Sequence, residues 1–263
     1  MACRQNETMT SATISLTLAE TAAEHGVRIL YACESGSRAW GFESPDSDYD
    51  VRFLYARPVA EYLRLTPSRD VIEIPIHDAL DISGWDVFKA CRLLRRSSPH
   101  LLEWLGSPTV YVENGPFAEG LRSVAERYFS RRACCEHYLN MAENNLRKYV
   151  LERELVIRKK YLYALRPLSC VRWMIEKATF PPTPFAEVVE GITLPMPVRE
   201  ELGRLLLDKR RNEEMSSAPA IPVFNDYMVQ SMDEVSHAVK GIQGRHFPED
   251  ELNQLLAATC IGH

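Results

Sequence analysis

Apolar positions recur every four residues at the start of the chain, alternate through the next stretch, and return to helical spacing for the remainder. Ile14, Leu18 and Ala22 share one face of a predicted helix over about Ser11 to His25, and Gly26 is a natural C-terminal stop. Val27 to Cys33 is a continuous apolar run that reads as a buried strand. Tyr49 to Tyr55 alternates, with Tyr49, Val51, Phe53 and Tyr55 on one face and Asp50 and Arg52 on the other. Asp70 to Ile76 reads as a further strand, placed at an edge by Pro75, and Ala79 to Ser83 as a short one.

After Gly84 the period becomes helical. Trp85 to Arg95 places Phe88, Cys91 and Leu94 on one face. Further helices are predicted over Pro99–Leu105, Pro116–Phe129, Arg131–Leu151, Glu154–Leu165, Pro167–Ala178, Val198–Glu214, Asn225–Val239 and Glu249–Ala258. The segments Phe180 to Pro184 and Ser216 to Pro222 read as linkers. The expected fold class is α+β, with a small α/β module over residues 1–112 and an all-helical module over 113–263.

Composition adds little to that division. The 263 residues are 46% apolar and 25% charged, as in ordinary globular proteins. A net charge of −5 argues against coating nucleic acid through bulk charge. Charge is uneven, however. Leu121 to Arg172 carries twelve Lys/Arg against five Asp/Glu, which suits a polyanion of limited size. Seven scattered cysteines, none in a CxxC pair, read as reduced thiols in a cytoplasmic protein, with the adjacent Cys134 and Cys135 half in the core. Neither a signal peptide nor a membrane-spanning run is expected.

The candidate chemistry lies between the first two strands, in ESGSRAWGFESPDSDYDV (Glu34 to Val51). Asp48 and Asp50, two apart at the start of a strand, send their carboxylates to one side. Two carboxylates on one face suit Mg²⁺, which takes one or two from a protein and the rest of its oxygens from substrate phosphates. Gly36 lets the backbone approach a phosphate, and the Ser37 hydroxyl and neighbouring N–H groups can bond to it. A bare pair of acids reads better as an acidic loop, with Asp46 and Asp48 forming side-chain turns. The combination of strand, Gly-Ser, spacer, paired acids and strand is far more specific. No Ser-His-Asp arrangement, HExxH or Walker A loop competes with it.

That combination, GSRAWGFESPDSDYDVRFLY, resembles the signature of the DNA polymerase β-like nucleotidyltransferase superfamily. With DISGWDVFKACRLL, SPHLLEWLGSPTVY and RKKYLYALRPL it resembles the RlaP branch, which is associated with RNA repair, over about Val27 to Phe185. The resemblance implies a polymerase β-like domain followed by helices, with the active cleft between them. It implies transfer of a nucleotidyl group from an NTP to an acceptor hydroxyl, with two Mg²⁺ (or Mn²⁺) held by three carboxylates. Asp48 and Asp50 would bridge both metals. The third acid is sought among Asp78, Asp81, Asp86 and Glu73, and the family pattern favours Asp81, with Glu73 next. Asp86 reads instead as a helix-start residue and Asp46 as a turn former. Asp81 would face the attacking hydroxyl, and Gly36 and Ser37 would hold the β- and γ-phosphates.

Arg38 is a further candidate for phosphate contact, and Arg52 for an ion pair with a neighbouring acid. Lys159, Lys160 and Tyr163 share a helical face, where a lysine beside a tyrosine can hold a triphosphate and stack on a base. His137 reads as a histidine of the helix packing, and Trp40 as core or a base contact. The expected partners are an NTP and an RNA or DNA 3′ end. The alternatives are a small-molecule or protein acceptor, or a non-catalytic nucleotide or RNA binder acting as an antitoxin or adaptor.

Overall fold

The structure is a computed structural model that describes residues 10–76, 79–211 and 217–261. Helix α1 (Ser11–His25) starts where the Thr10 hydroxyl accepts from the Thr13 N–H, and stops where Gly26 enters the left-handed region at φ 59°. Strand β1 (Arg28–Glu34) leads into the short helix α2 (Gly36–Ala39), within the stretch expected to be loop. Strand β2 (Tyr49–Ala56), helix α3 (Val59–Tyr62) and strands β3 (Val71–Glu73) and β4 (Leu80–Asp86) follow. Helices α4 (Val87–Arg95) and α5 (Pro99–Leu105) then lead to β5 (Val110–Glu113), a strand the sequence pattern did not reveal.

The five strands form one mixed sheet in the order β3-β4-β2-β1-β5. β1 is antiparallel to both β2 and β5, whereas β2 and β4 run parallel, joined by the long crossover through α3 and β3. β3 is indeed an edge strand, shorter than expected, ending before Pro75. One sheet face packs Val51, Phe53, Tyr55 and Ile82 against Ile14 and Leu18 of α1. The opposite face, through Leu30, Tyr31, Cys33 and Leu54, joins a core that continues as far as Leu252. A bulge in β1 between Ile29 and Tyr31 brings Leu30 and Tyr31 into that same core.

β4 continues through Gly84, which the sequence reading took as the end of the strand region. A Cβ on Gly84 would lie 2.2 Å from the Phe53 ring, so the glycine makes room for a cross-strand aromatic. Trp85 is therefore a strand residue, and α4 buries Val87, Ala90, Cys91 and Leu94 while Phe88 is exposed. Asp86 caps α4 by accepting from the Phe88 N–H at 2.8 Å, as a helix-start acid should.

The remaining chain is largely helical: α6 (Phe117–Tyr128), α7 (Arg131–Tyr149), α8 (Lys159–Lys177), α9 (Phe185–Gly191), α10 (Met196–Arg210), α11 (Pro222–Lys240) and α12 (Glu249–Ile261). Two expectations fail here. Residues Leu155–Ile157 form β6, paired antiparallel with β7 (Ser217–Pro219) inside an expected linker. The two helices expected on either side of Pro167 are one, with the proline inside α8. An interior proline costs a helix about 3 kcal/mol. Burial of Tyr161, Leu162, Leu165, Leu168, Val171 and Met174 along one element offsets that cost. Cys134 and Cys135 are both fully buried rather than half in the core, and the six described cysteines are free thiols.

Candidate active site

The strand side of the site is set by backbone geometry. Gly36 opens α2 at φ 58°, and a Cβ there would lie 1.9 Å from Asp50 Oδ2. Glycine is required twice, by the left-handed backbone and by the carboxylate pressed against it. The start of β2 is stitched to the end of β1: Ser35 N–H donates to Asp50 O at 2.8 Å, and Asp50 N–H donates to Glu34 Oε1 at 2.8 Å. Glu34 is only 2% exposed, and the Tyr111 hydroxyl donates to its other carboxylate oxygen. Burial holds Glu34 and Asp50 above the usual carboxylate pKa; Tyr111 and the Asp50 amide pull Glu34 down, Arg52 pulls Asp50 down, and Asp81 and Asp48 push Asp50 up.

Asp48 lies one residue before β2, exposed at the cleft. Its segment is held by a Ser44–Ser47 turn, in which the Ser44 N–H donates to Ser47 Oγ at 2.9 Å and the Ser47 N–H to Ser44 O at 2.9 Å. Arg38 serves this loop directly. Its guanidinium donates to Ser47 O at 2.8 Å and Asp48 O at 3.2 Å, and lies 3.7 Å over the Tyr49 ring.

Asp50 and Asp81 are register partners on the parallel strands β2 and β4. Arg52 bridges them, one Nη2 reaching Asp50 Oδ1 at 3.0 Å and Asp81 Oδ2 at 2.8 Å, while Nη1 donates to the Asp81 carbonyl at 2.9 Å. Arg52 is thus the ion-pair residue expected of it. Of the other acids considered with Asp81, Glu73 is exposed on β3 and paired with Arg69, and Asp78 lies outside the described residues.

Gly36, Ser37, Asp48, Asp50 and Arg52 form one wall of a cleft of about 730 Å³. The other wall comes from the helices: Lys159 and Tyr163 on α8, Met141 and Asn145 on α7, and Lys209 on α10. Lys160 is turned toward two rings, 4.3 Å from the Tyr149 centroid and 4.9 Å from that of Tyr163. The cleft therefore gathers Gly36, Ser37, Asp48, Asp50, Lys159 and Tyr163. Its lining does not include Arg38, Lys160 or Asp81. His137 stacks edge-on against the cleft residue His100 at 5.1 Å, and burial followed by the His100 charge holds its pKa down.

At the base of the cleft Glu103, 7% exposed, accepts from Arg166 Nη2 at 2.9 Å, from Trp40 Nε1 at 3.1 Å and from the Tyr138 hydroxyl. Arg166, 4% exposed, lies 4.1 Å over the Trp40 ring. Trp85 and Trp104 stack beside this network at 3.7 Å. The segment Trp40–Phe42 ties the strand wall to the helices: the Phe185 N–H donates to Trp40 O at 2.8 Å, and Arg210 Nη2 to Gly41 O at 3.0 Å. Sequence reasoning missed Glu34, Glu103, Arg166 and Lys209. One signal was available, since Glu103 is a lone acid inside the apolar run LLEWL.

The basic segment looks different in three dimensions. Arg122, Arg127, Arg132, Arg147, Arg166 and Arg172 are all paired with acids, several of them outside the segment. Lys159 and Lys160 have no carboxylate at ion-pair distance among the described residues, and Lys159 lines the cleft.

The donor set suits a hard cation in part. Among the described residues no three His, Cys, Asp or Glu side chains are gathered closely enough to hold a metal on their own. Asp48 and Asp50 on the cleft supply the one or two carboxylates that Mg²⁺ takes when phosphates provide the rest. Asp81 is aligned with Asp50 by register but engaged by Arg52.

A family model, the RNA repair pathway DNA polymerase beta family (RlaP), matches residues 10–258. A Bacillus subtilis (strain 168) protein described as uncharacterized protein YcgL is 42% identical over 236 residues, covering 89% of this chain and 90% of that one. A solved structure, a nucleotidyltransferase-like protein from Exiguobacterium sibiricum 255-15, overlaps 96% of this chain and 80% of its own at 14% identity, with a TM-score of 0.31. No helix among the described residues is long and apolar enough to cross a membrane.

Proposed function

The chain belongs to the RlaP family of polymerase β-like nucleotidyltransferases, and from that premise we propose that it transfers a nucleoside monophosphate from an NTP to a nucleic-acid 3′ hydroxyl. The observation that carries this reading is the opposition of walls, with Asp48, Asp50 and the Gly36–Ser37 turn facing Lys159 and Tyr163 across one cleft. The strand side then supplies the carboxylates, the helices supply Lys159 and Tyr163, and Trp40, Trp85 and Trp104 add ring faces from the N-terminal part of the chain.

Each group has a defined task. The Gly36 turn and the Ser37 hydroxyl take phosphate oxygens, the glycine adding no side chain of its own beside the Asp50 carboxylate that lies against it. Lys159 neutralises the same phosphates from the helical wall. Tyr163 and the cleft tryptophans offer ring faces to a base. Glu34 fixes the Asp50 amide, and Arg52 keeps Asp50 and Asp81 aligned and offsets their mutual repulsion. Asp48 and Asp50 would hold Mg²⁺ (or Mn²⁺), with Asp81 as the third carboxylate. The ion when bound lowers the pKa of an attacking hydroxyl and stabilises the leaving oxygen.

The Arg52 bridge favours a second reading, a nucleotide binder without turnover, because it occupies two of the three acids. Labelled NTPs offered with Mg²⁺ to RNA bearing a 3′ hydroxyl, to RNA bearing a 3′ phosphate, and to protein separate these readings. We expect label on the 3′-hydroxyl RNA. Label on protein alone overturns the acceptor, and NTP binding with no transfer to anything supports the second reading.

A further inference from the structure

Lys209 is a buried cation that no expectation covered. It is only 5% exposed, yet it lines the cleft, and among the described residues no carboxylate lies within ion-pair distance of it. Its nearest recorded partner is the Phe42 ring, 5.7 Å from the ammonium. Burial, followed by the charge of Lys159, holds its pKa down; Glu43 acts in the other direction. An ammonium withdrawn from water without an acid beside it destabilises a fold, and a methionine of similar length fits such a site at lower cost. Arg210, the next residue, anchors this end of α10 to Gly41, so the helix is fixed against the segment that follows α2, the short helix opened by Gly36 and Ser37.

We propose that Lys209 and Lys159 form a polyphosphate seat, and that Lys209 distinguishes a triphosphate from shorter phosphates. This rests on the nucleotide reading above. It gives α10, remote in sequence from the paired acids, a direct part in substrate selection. Two ammoniums that repel each other in the free protein are both satisfied by an anion with several charged oxygens between them. A monophosphate reaches the Gly36–Ser37 turn without needing the second wall.

The test measures binding of inorganic tripolyphosphate and of inorganic phosphate, with Mg²⁺ and at fixed ionic strength, by calorimetry and by thermal shift. Lys209→Met is expected to weaken tripolyphosphate about 10- to 100-fold, the scale of one charged hydrogen bond, and to leave phosphate unchanged. The free variant is expected to melt no lower than the wild type, because an unpaired buried charge has been removed. A structural lysine would give the opposite: a lower melting point with unchanged binding. Unchanged tripolyphosphate affinity overturns the inference and leaves nucleotidyl transfer standing. A wild type that binds neither tripolyphosphate nor any NTP overturns the nucleotide reading itself. If Lys209→Met does not fold, Lys209→Gln is measured by the same criteria. If neither folds, the charge is structural and the inference falls.

Discussion

The two walls of the cleft hold their charges in opposite ways. On the strand wall, acids are fixed by backbone: Asp50 by the hydrogen bond its N–H donates to Glu34 and by register with Asp81, and Asp48 by the serine turn and Arg38. On the helix wall, Lys159 and Lys209 project on long stems with no carboxylate at ion-pair distance among the described residues, while Arg166 is locked to Glu103 beneath them. The first wall is built before any ligand arrives. The second, on the proposed function, is completed by one. Removing a strand-wall acid should therefore stop chemistry, whereas removing a helix-wall cation should weaken binding.

The largest effect tests the strand wall directly. Asp48→Ala with Asp50→Ala is expected to lower transfer at least ~1,000-fold, the scale of losing pre-placed transition-state electrostatics, without lowering the melting point. Labelled-NTP turnover and a melting curve read both, and turnover that survives would break the assignment. Gly36→Ala comes next. The new Cβ meets Asp50 and the left-handed backbone is strained, so we expect a loss of about 1–3 kcal/mol in urea unfolding together with loss of transfer. Glu103→Gln tests the locked part of the helix wall. It leaves Arg166 charged and buried, and a broken buried pair costs about 3–5 kcal/mol in stability. Its transfer rate at a permissive temperature should fall less than that of Gly36→Ala. Lys159→Ala, at an exposed position, should raise KM for NTP about 10-fold with little change in kcat, a loss of binding rather than of chemistry.

The smallest effect is a pH control outside the cleft. Burial raises the pKa of Asp86, which caps α4. A carboxyl whose folded pKa exceeds its unfolded value binds protons more tightly when folded. Its contribution is therefore favourable at low pH and is lost as pH climbs from about 4 through the raised value. Asp86→Asn keeps a capping side chain and removes the titration. Unfolding free energy measured across the acid range should show the variant gaining on the wild type as pH rises. A constant difference would remove Asp86 from the account.

How much of this was legible depended on distance along the chain. The strand wall is nearly contiguous: Gly36, Ser37, Asp48 and Asp50 fall within one stretch, and period two assigns the facing of Asp50 and Arg52. The helix wall is not. Glu103 meets Trp40 across 63 positions and Arg210 meets Gly41 across 169, contacts that no local period encodes. Lys209 reads in sequence as one more charge near a helix end. Gly84 and Pro167 misled for a related reason. Each looked like punctuation, and each is held inside an element by packing, Gly84 beneath Phe53 and Pro167 within buried α8.

The pairing of Asp50 with Asp81 also sets where the gene can grow. In a strand, parity decides facing, so one residue inserted within Tyr49–Ala56 or Leu80–Asp86 would turn an acid toward α1 and away from the cleft. The loop between α3 and β3, within the connection of those strands, carries no such constraint on its length. Between Tyr62 and Arg69 it runs over the surface, with Leu63 and Leu65 exposed. Tags, reporters or whole domains grafted there should leave the acids in step, because each strand counts its own residues and the loop between them does not.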